Sequence, residues 1–232
     1  MASQESDYLR ELMAAFPVAA ASSIDLVEDA AATIQLRYQS LLDSLVDSEA
    51  VTRLLDSTSE TFFSPLFASL ARLSHRTLYG EILANAGKYR QPTEADGGAV
   101  YFGPQSKGPA EFTGTSASKI ESELTGAFRH LSKTTSDPVA SAVTFYQQFV
   151  RIHPFYDANG RITRLLVSVY LDYHGRYVDW DDLQRQGKWI HHLNNCHKRQ
   201  GQKVYDTYLG RLIDYFARHV RLKSEFEFGF DE

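Results

Sequence analysis

Thirteen consecutive residues, Ile152 to Arg164, constrain this chain more than any others: Ile-His-Pro-Phe-Tyr-Asp-Ala-Asn-Gly-Arg-Ile-Thr-Arg. Pro154 supplies no N–H and disfavours helical geometry in the residue before it, so a helix arriving from upstream must stop at Ile152–His153. That helix opens at Asp137-Pro138, an N-cap residue followed by proline at the first helical position, and carries Val139, Val143, Tyr146, Phe149 and Val150 on one face. On the other side, Ile162, Leu165, Leu166, Val169, Tyr170 and Tyr173 recur at the spacing of a single helical stripe, and His174-Gly175 supplies a C-terminal cap. The stretch is therefore a tight loop between two amphipathic helices, feeding a helix N-terminus.

The side chains of this loop suit a phosphate site. Gly160 permits close backbone approach, and Asn159 tolerates unusual dihedrals while offering amide donors. The unpaired N–H groups at the start of the second helix point where its dipole favours an anion. Arg161 and Arg164, three apart, can lie on one side of that helix, and two guanidinium forks suit a polyphosphate better than a single carboxylate. Asp157 beside such a group is a hard oxygen ligand for Mg²⁺. His153 titrates near neutrality and can take a proton from an attacking hydroxyl. Taken singly, each pattern has a plainer reading: His-Pro ends helices, Asn-Gly makes turns, and paired arginines decorate solvated faces.

The rest of the chain is predominantly helical. Tyr8, Leu9, Leu12, Met13 and Phe16 form an apolar face ended by Pro17, and Ser22 or Ser23 would cap a long helix through Ile34, Tyr38, Leu41, Leu42 and Leu45. A helix from Ser64-Pro65 is expected to continue to Ala84 and halt near Gly87. Ser118-Lys119-Ile120-Glu121 reads as a capping box, and two further helices are expected over 181–198 and 204–222. Between Gln91 and Gly114, prolines and glycines separate two short β-prone runs, Val100-Tyr101-Phe102 and Ala110-Glu111-Phe112. They read as an irregular hairpin, the only strand-like element expected.

The 232 residues can bury a substantial core, with 43% hydrophobic and 23% charged residues, as in globular proteins. A net charge of −5 gives no global field for nucleic acid or an anionic membrane. No apolar run is long enough to span a bilayer, the first ten residues do not read as a signal peptide, and a single cysteine, Cys196, fits a reducing, cytoplasmic setting. His191, His192, Cys196 and His197 share one helical segment, but metal binding there needs a further ligand that the sequence does not indicate.

His153-Pro154-Phe155-Tyr156-Asp157-Ala158-Asn159-Gly160-Arg161-Ile162-Thr163-Arg164 resembles the motif of the Fic proteins, His-x-Phe-x-(Asp/Glu)-(Gly/Ala)-Asn-(Gly/Lys)-Arg-x-x-Arg, at every specified position. His75-Arg76-Thr77-Leu78 and Gly87-Lys88-Tyr89-Arg90 look like that family's core helix and the turn before its flap. The resemblance implies an all-α fold, a Fic-type helical bundle with one β-hairpin flap. It divides the chain into an N-terminal helical extension (1–60), a catalytic domain (61–222, flap about 91–114) and a tail (223–232). It further implies transfer of AMP from ATP to a Ser, Thr or Tyr hydroxyl of a target protein docked by strand addition near Val100, Tyr101 and Phe102. His153 would be the base and Asp157 would hold Mg²⁺. Asn159, Gly160 and Arg161 would hold the α- and β-phosphates, Arg164 would take the γ-phosphate, and Phe155 would anchor the loop.

Many relatives carry an inhibitory (Ser/Thr)-x-x-x-Glu-(Gly/Asn) helix whose glutamate pairs with the second motif arginine. Here no glutamate precedes Gly or Asn, and the nearest N-terminal approximation is Ala21-Ser22-Ser23-Ile24-Asp25, with Glu28 beyond it. A separate inhibitory partner, or none, is equally compatible; a homodimer and delivery to another cell as an effector are also open. The alternatives to AMP transfer are AMP removal, transfer of another nucleotide moiety, Doc-like phosphate transfer, and a non-catalytic peptide-binding module.

Overall fold

A computed structural model describes residues 2–18, 27–102, 112–185 and 187–224. Its organising element is the helix that follows the motif loop, Asn159–Tyr173 (α7), which is buried nearly all round: Ile162, Leu165, Leu166, Val167, Val169, Tyr170 and Leu171 are at most 1% exposed. A helix apolar on every side must be surrounded. Nine further helices are described in chain order: Ala2–Ala15 (α1), Val27–Leu45 (α2), Glu49–Ser57 (α3), Glu60–Tyr79 (α4), Ile120–Phe128 (α5), Pro138–Ile152 (α6), Trp180–Arg185 (α8), Lys188–Arg199 (α9) and Tyr205–Ala217 (α10). α2, α4 and α6 all pack on α7, while α9 and α10 pair and close over α6. Phe63, Phe67, Phe145, Phe149, Phe155, Trp189 and Phe216 fill the spaces between. The N-terminal helices contribute Leu9, Leu12, Ile34 and Tyr38 to this same core.

The capping chemistry placed α6 correctly: the Asp137 carboxylate accepts the Ala140 N–H at 3.0 Å, and the helix ends at Ile152. Elsewhere the boundaries shift. α4 starts before Pro65 and stops at Tyr79, because Gly80 and the turns after it take Ile82 and Leu83 back onto the Tyr79 carbonyl. The capping box at Ser118 is not made. A short 3-10 turn over Ala117–Lys119 precedes α5 instead. The single helix expected over 181–198 is split into α8 and α9, with Gly187 at φ +64° between them. The start expected for α2 at Ser22 or Ser23 lies outside the described residues.

Among the described residues there are two small sheets, not one. Tyr101–Phe102 (β1) pairs antiparallel with Phe112–Thr113 (β2), Tyr101 facing Thr113, which is the expected hairpin; its tip lies outside the described residues. Arg176–Val178 (β3) pairs antiparallel with Val220–Leu222 (β4), Tyr177 facing Arg221. The hairpin expectation holds; the second, long-range pairing corrects only the reading of the hairpin as the sole strand-like element and of a helix running to residue 222. Among the described residues, no helix is long and apolar enough to cross a membrane.

Candidate active site

His153 caps α6 in the left-handed conformation, φ 53° and ψ 61°, and its N–H returns to the Phe149 carbonyl at 3.0 Å. Its Nδ1 lies 3.3 Å from the Val150 carbonyl, a pure acceptor, so Nδ1 carries the proton and Nε2 the lone pair. Burial holds the imidazole far below its ordinary value, at about 4; the Val150 carbonyl and Asp157 oppose that shift, and Arg90 adds to it. At neutral pH His153 is therefore an uncharged base, built into the corner where the chain leaves α6.

The loop that follows is locked from within. Phe155, fully buried, stacks on His75 at 4.1 Å between ring centroids, and His75 in turn stacks on Tyr79 at 4.8 Å. His75 is fixed by the Gly87 N–H donating to its Nδ1 at 2.9 Å, and burial keeps it neutral, with its titration lowered to about 4. Asn159, 2% exposed, accepts the Phe155 N–H at 3.0 Å and donates to the Phe155 carbonyl at 2.8 Å. The amide expected to donate to phosphate is thus engaged with the loop backbone, and in this structure Asn159 shapes the loop.

α7 begins after Ala158, itself left-handed at φ 58°, and no side chain caps its N-terminus. The first N–H groups of α7 are therefore presented at the positive end of a 15-residue helix. A Cβ added at Gly160 would meet no protein atom within 4 Å, so the approach to this N-terminus is open.

Asp157 and Arg161 meet through a residue the sequence did not single out. The Tyr79 hydroxyl, on α4, donates to Asp157 Oδ2 at 2.6 Å and accepts from Arg161 Nη1 at 3.3 Å. Burial, with Asp157 adding, pushes Tyr79 well above its ordinary titration range, so it stays a donor. The Ala158 N–H gives the other carboxylate oxygen a bond at 2.6 Å. Among the described residues no cluster of three or more His, Cys, Asp or Glu could hold a metal ion.

Arg164 faces the other way. Its Nη1 donates to Gln184 of α8 at 2.7 Å, and its guanidinium lies 5.9 Å from the Tyr38 ring centroid of α2. Together with Ser168, Arg176 and Trp180 these residues line a cavity of about 400 Å³. Asp25 lies outside the described residues, and Glu28 is exposed at the start of α2.

Further contacts join the loop to its neighbours. The Tyr8 hydroxyl of α1 donates to the Tyr156 carbonyl at 2.6 Å, the Tyr156 hydroxyl donates to Glu94 Oε2 at 2.9 Å, and the Arg90 guanidinium reaches the His153 carbonyl at 2.7 Å. A separate groove of about 1350 Å³ between α4 and α5, lined by Arg72, Arg76, Lys88, Leu124 and Phe128 among others, includes no residue of the motif loop. Cys196 and His197 are buried in the packing of α9, His197 Nε2 lying 3.1 Å from the Gln147 carbonyl of α6.

The Fic/DOC family model matches residues 65–171. No curated protein matches the chain. Among solved structures, the chain is similar to the N-terminal Fic domain of a VirB-translocated Bep effector protein from Bartonella quintana with bound ADP, at 16% identity and TM-score 0.57 over 92% of this chain and 97% of that one. It is also similar to BepC of Bartonella tribocorum with bound AMPPNP, at 14% identity and TM-score 0.56 over 90% and 97% of the two chains. The Fic domain of a Bep effector from Bartonella sp. AR 15-3 shares 13% identity at TM-score 0.58, with 94% of each chain covered.

Proposed function

We propose that this chain, a Fic/DOC-family protein across residues 65–171, is a protein adenylyltransferase that moves AMP from ATP to a Ser, Thr or Tyr hydroxyl of a target protein. The observation that carries this reading is the pairing of a neutral, backbone-fixed His153 with the uncapped N-terminus of α7 at opposite ends of one short loop. The ADP and AMPPNP seen in the two Bartonella domains support a nucleotide as the ligand.

His153 Nε2 takes the proton of the target hydroxyl as its oxygen attacks the α-phosphorus. The new P–O bond forms as the bond to the β,γ-pyrophosphate breaks, and pyrophosphate leaves. The first N–H groups of α7, with Gly160 giving room and Arg161 beside them, hold the charge that builds on the phosphate oxygens. Arg164 takes the γ-phosphate after exchanging its bond to Gln184. Asp157, whose carboxylate is oriented by two donors, would hold Mg²⁺. When bound, the ion would neutralise phosphate charge. The target segment adds to the flap edge near Val100, Tyr101 and Phe102, where main-chain bonds would set its register against His153.

The test incubates the protein with target lysate, Mg²⁺ and ATP labelled at the α- or the γ-phosphate, beside a His153→Ala control. Protein-bound α-label that is lost in the control is the expected result. Label from the γ-position alone would replace this reading with a kinase.

A further inference from the structure

Arg90 is 1% exposed, and its donors go to backbone carbonyls. Nε donates to the His153 carbonyl at 2.7 Å, and Nη2 to the carbonyls of Ile152 at 3.1 Å and Thr115 at 3.0 Å. Nη1 goes to the Gly98 carbonyl. The Arg90 N–H adds a bond to the Pro154 carbonyl at 2.9 Å. Two of these acceptors are the last carbonyls of α6, which lack intrahelical partners and carry the negative end of its dipole. The other two stand at the feet of the flap, Gly98 before β1 and Thr115 after β2. One planar fork therefore fastens three things together: the end of α6 bearing the base, and both legs of the hairpin.

The flap foot also lies close beside the base. Gly114 donates to the Val100 carbonyl at 3.0 Å, and a Cβ placed at Gly114 would stand 3.5 Å from both His153 Cβ and the Ile152 carbonyl oxygen. Burying a guanidinium is costly, and burial indeed lowers its proton affinity. Such a group is retained where its geometry serves a purpose that an apolar residue could not. Lysine, a point charge on a flexible stem, cannot span carbonyls on three segments.

We propose that Arg90 is the positioning residue for His153, fixing the base relative to the flap so that a target segment added to the flap edge arrives in register with Nε2. This rests on the transferase reading above and adds to it a residue that touches neither nucleotide nor target.

Arg90→Lys keeps the charge and removes the fork. In the labelled transfer assay its kcat is expected to fall 10- to 100-fold, with the KM for ATP within about twofold of wild type, because the phosphate contacts belong to α7 and not to Arg90. Amide exchange is expected to rise together over residues 97–102, 112–116 and 149–156 while α9 and α10 stay protected. A kcat within threefold of wild type would overturn the proposal. So would a fall in kcat accompanied by an equal loss of ATP binding and of protection throughout the molecule, which is the behaviour of a merely structural residue.

Native-state exchange on the unmodified protein gives a measurement that needs no variant. The amides of Arg90, Gly114 and His153 are expected to open as one unit with one free energy, and three separate openings would refute the tie. Should wild type transfer no label from either phosphate, the transferase reading fails and the exchange experiments still decide the role of Arg90.

Discussion

His153 is neutral at physiological pH because its surroundings remove water from it, and this sets where activity should fail. On the proposed transferase reading, protonation disables the base, so the acid limb of kcat/KM follows its folded pKa. That limb is expected near pH 4, not near the ordinary histidine value of about 6.5. A pH–rate profile taken within seconds of transfer from neutral stock checks this. A limb centred at 6.5 would mean that the imidazole is solvated in the working enzyme. Tyr79 offers a second residue-scale expectation. Its hydroxyl orients the Asp157 carboxylate, and loss of such a supporting bond typically weakens metal affinity by about 10- to 100-fold. Tyr79→Phe should therefore raise the Mg²⁺ concentration giving half-maximal transfer by about tenfold, with little change at saturating metal. Tyr79 could not be read from the sequence as part of the site, and Arg90 was marked only as the end of Gly87-Lys88-Tyr89-Arg90 and not as a partner of His153, since their partners lie 78 and 63 positions away.

At the scale of elements, what could be read ahead depended on whether a boundary was set by local chemistry. α6 and α7 were legible because Asp137-Pro138, Pro154 and a sustained apolar stripe act within one or two turns. The pairing of β3 with β4 was not, because three-residue strands carry no periodicity and form only when α10 has brought Val220 beside Val178. The flap hairpin was legible from its glycines, and Gly114 shows why one of them is needed. A Cβ there would drive into Val100 Cγ2, with the backbone of α6 close behind. Gly114→Ala should destabilise the flap by about 1–3 kcal/mol, the usual scale of overpacking. The expected signature is a reduced transfer rate and faster amide exchange across β1 and β2, with thermal melting of the helical body shifted by only a few degrees.

For the molecule as a whole, three imidazoles, His75, His153 and His197, are held near 4 mainly by burial. The unfolded chain binds their protons at about 6.5 and the folded one does not, so protons favour unfolding throughout that interval. Stability is then fully present above pH 6.5 and is lost as pH falls toward 4, at a slope of up to about 4 kcal/mol per pH unit when all three contribute. Urea midpoints compared at pH 7.5, 6.0 and 5.0 measure this, and a flat series would show that these rings are not neutral in the fold. The predominantly helical make-up was legible from apolar spacing and the bundle from the resemblance of residues 153–164, but the spacing showed a single stripe on α7, whereas the fold buries it nearly all round. The division into an extension and a separate catalytic domain is less visible in the packing, where Leu9, Ile34 and Tyr38 enter the same core as the motif helices. The orientation of Arg164 toward α2 and α8 follows from that shared core and has no counterpart in the local sequence.

The left-handed backbone of His153 has one more implication, for selection. That conformation suits glycine best and costs most other residues about 1–2 kcal/mol, with asparagine, aspartate and histidine the less disfavoured among them. The base therefore occupies a position where the fold alone would choose a different amino acid. Drift away from histidine is uphill for chemistry and downhill for backbone strain, so a lineage that no longer needs the reaction should lose it first here, by a change such as His153→Asn that leaves a well-folded and inert protein.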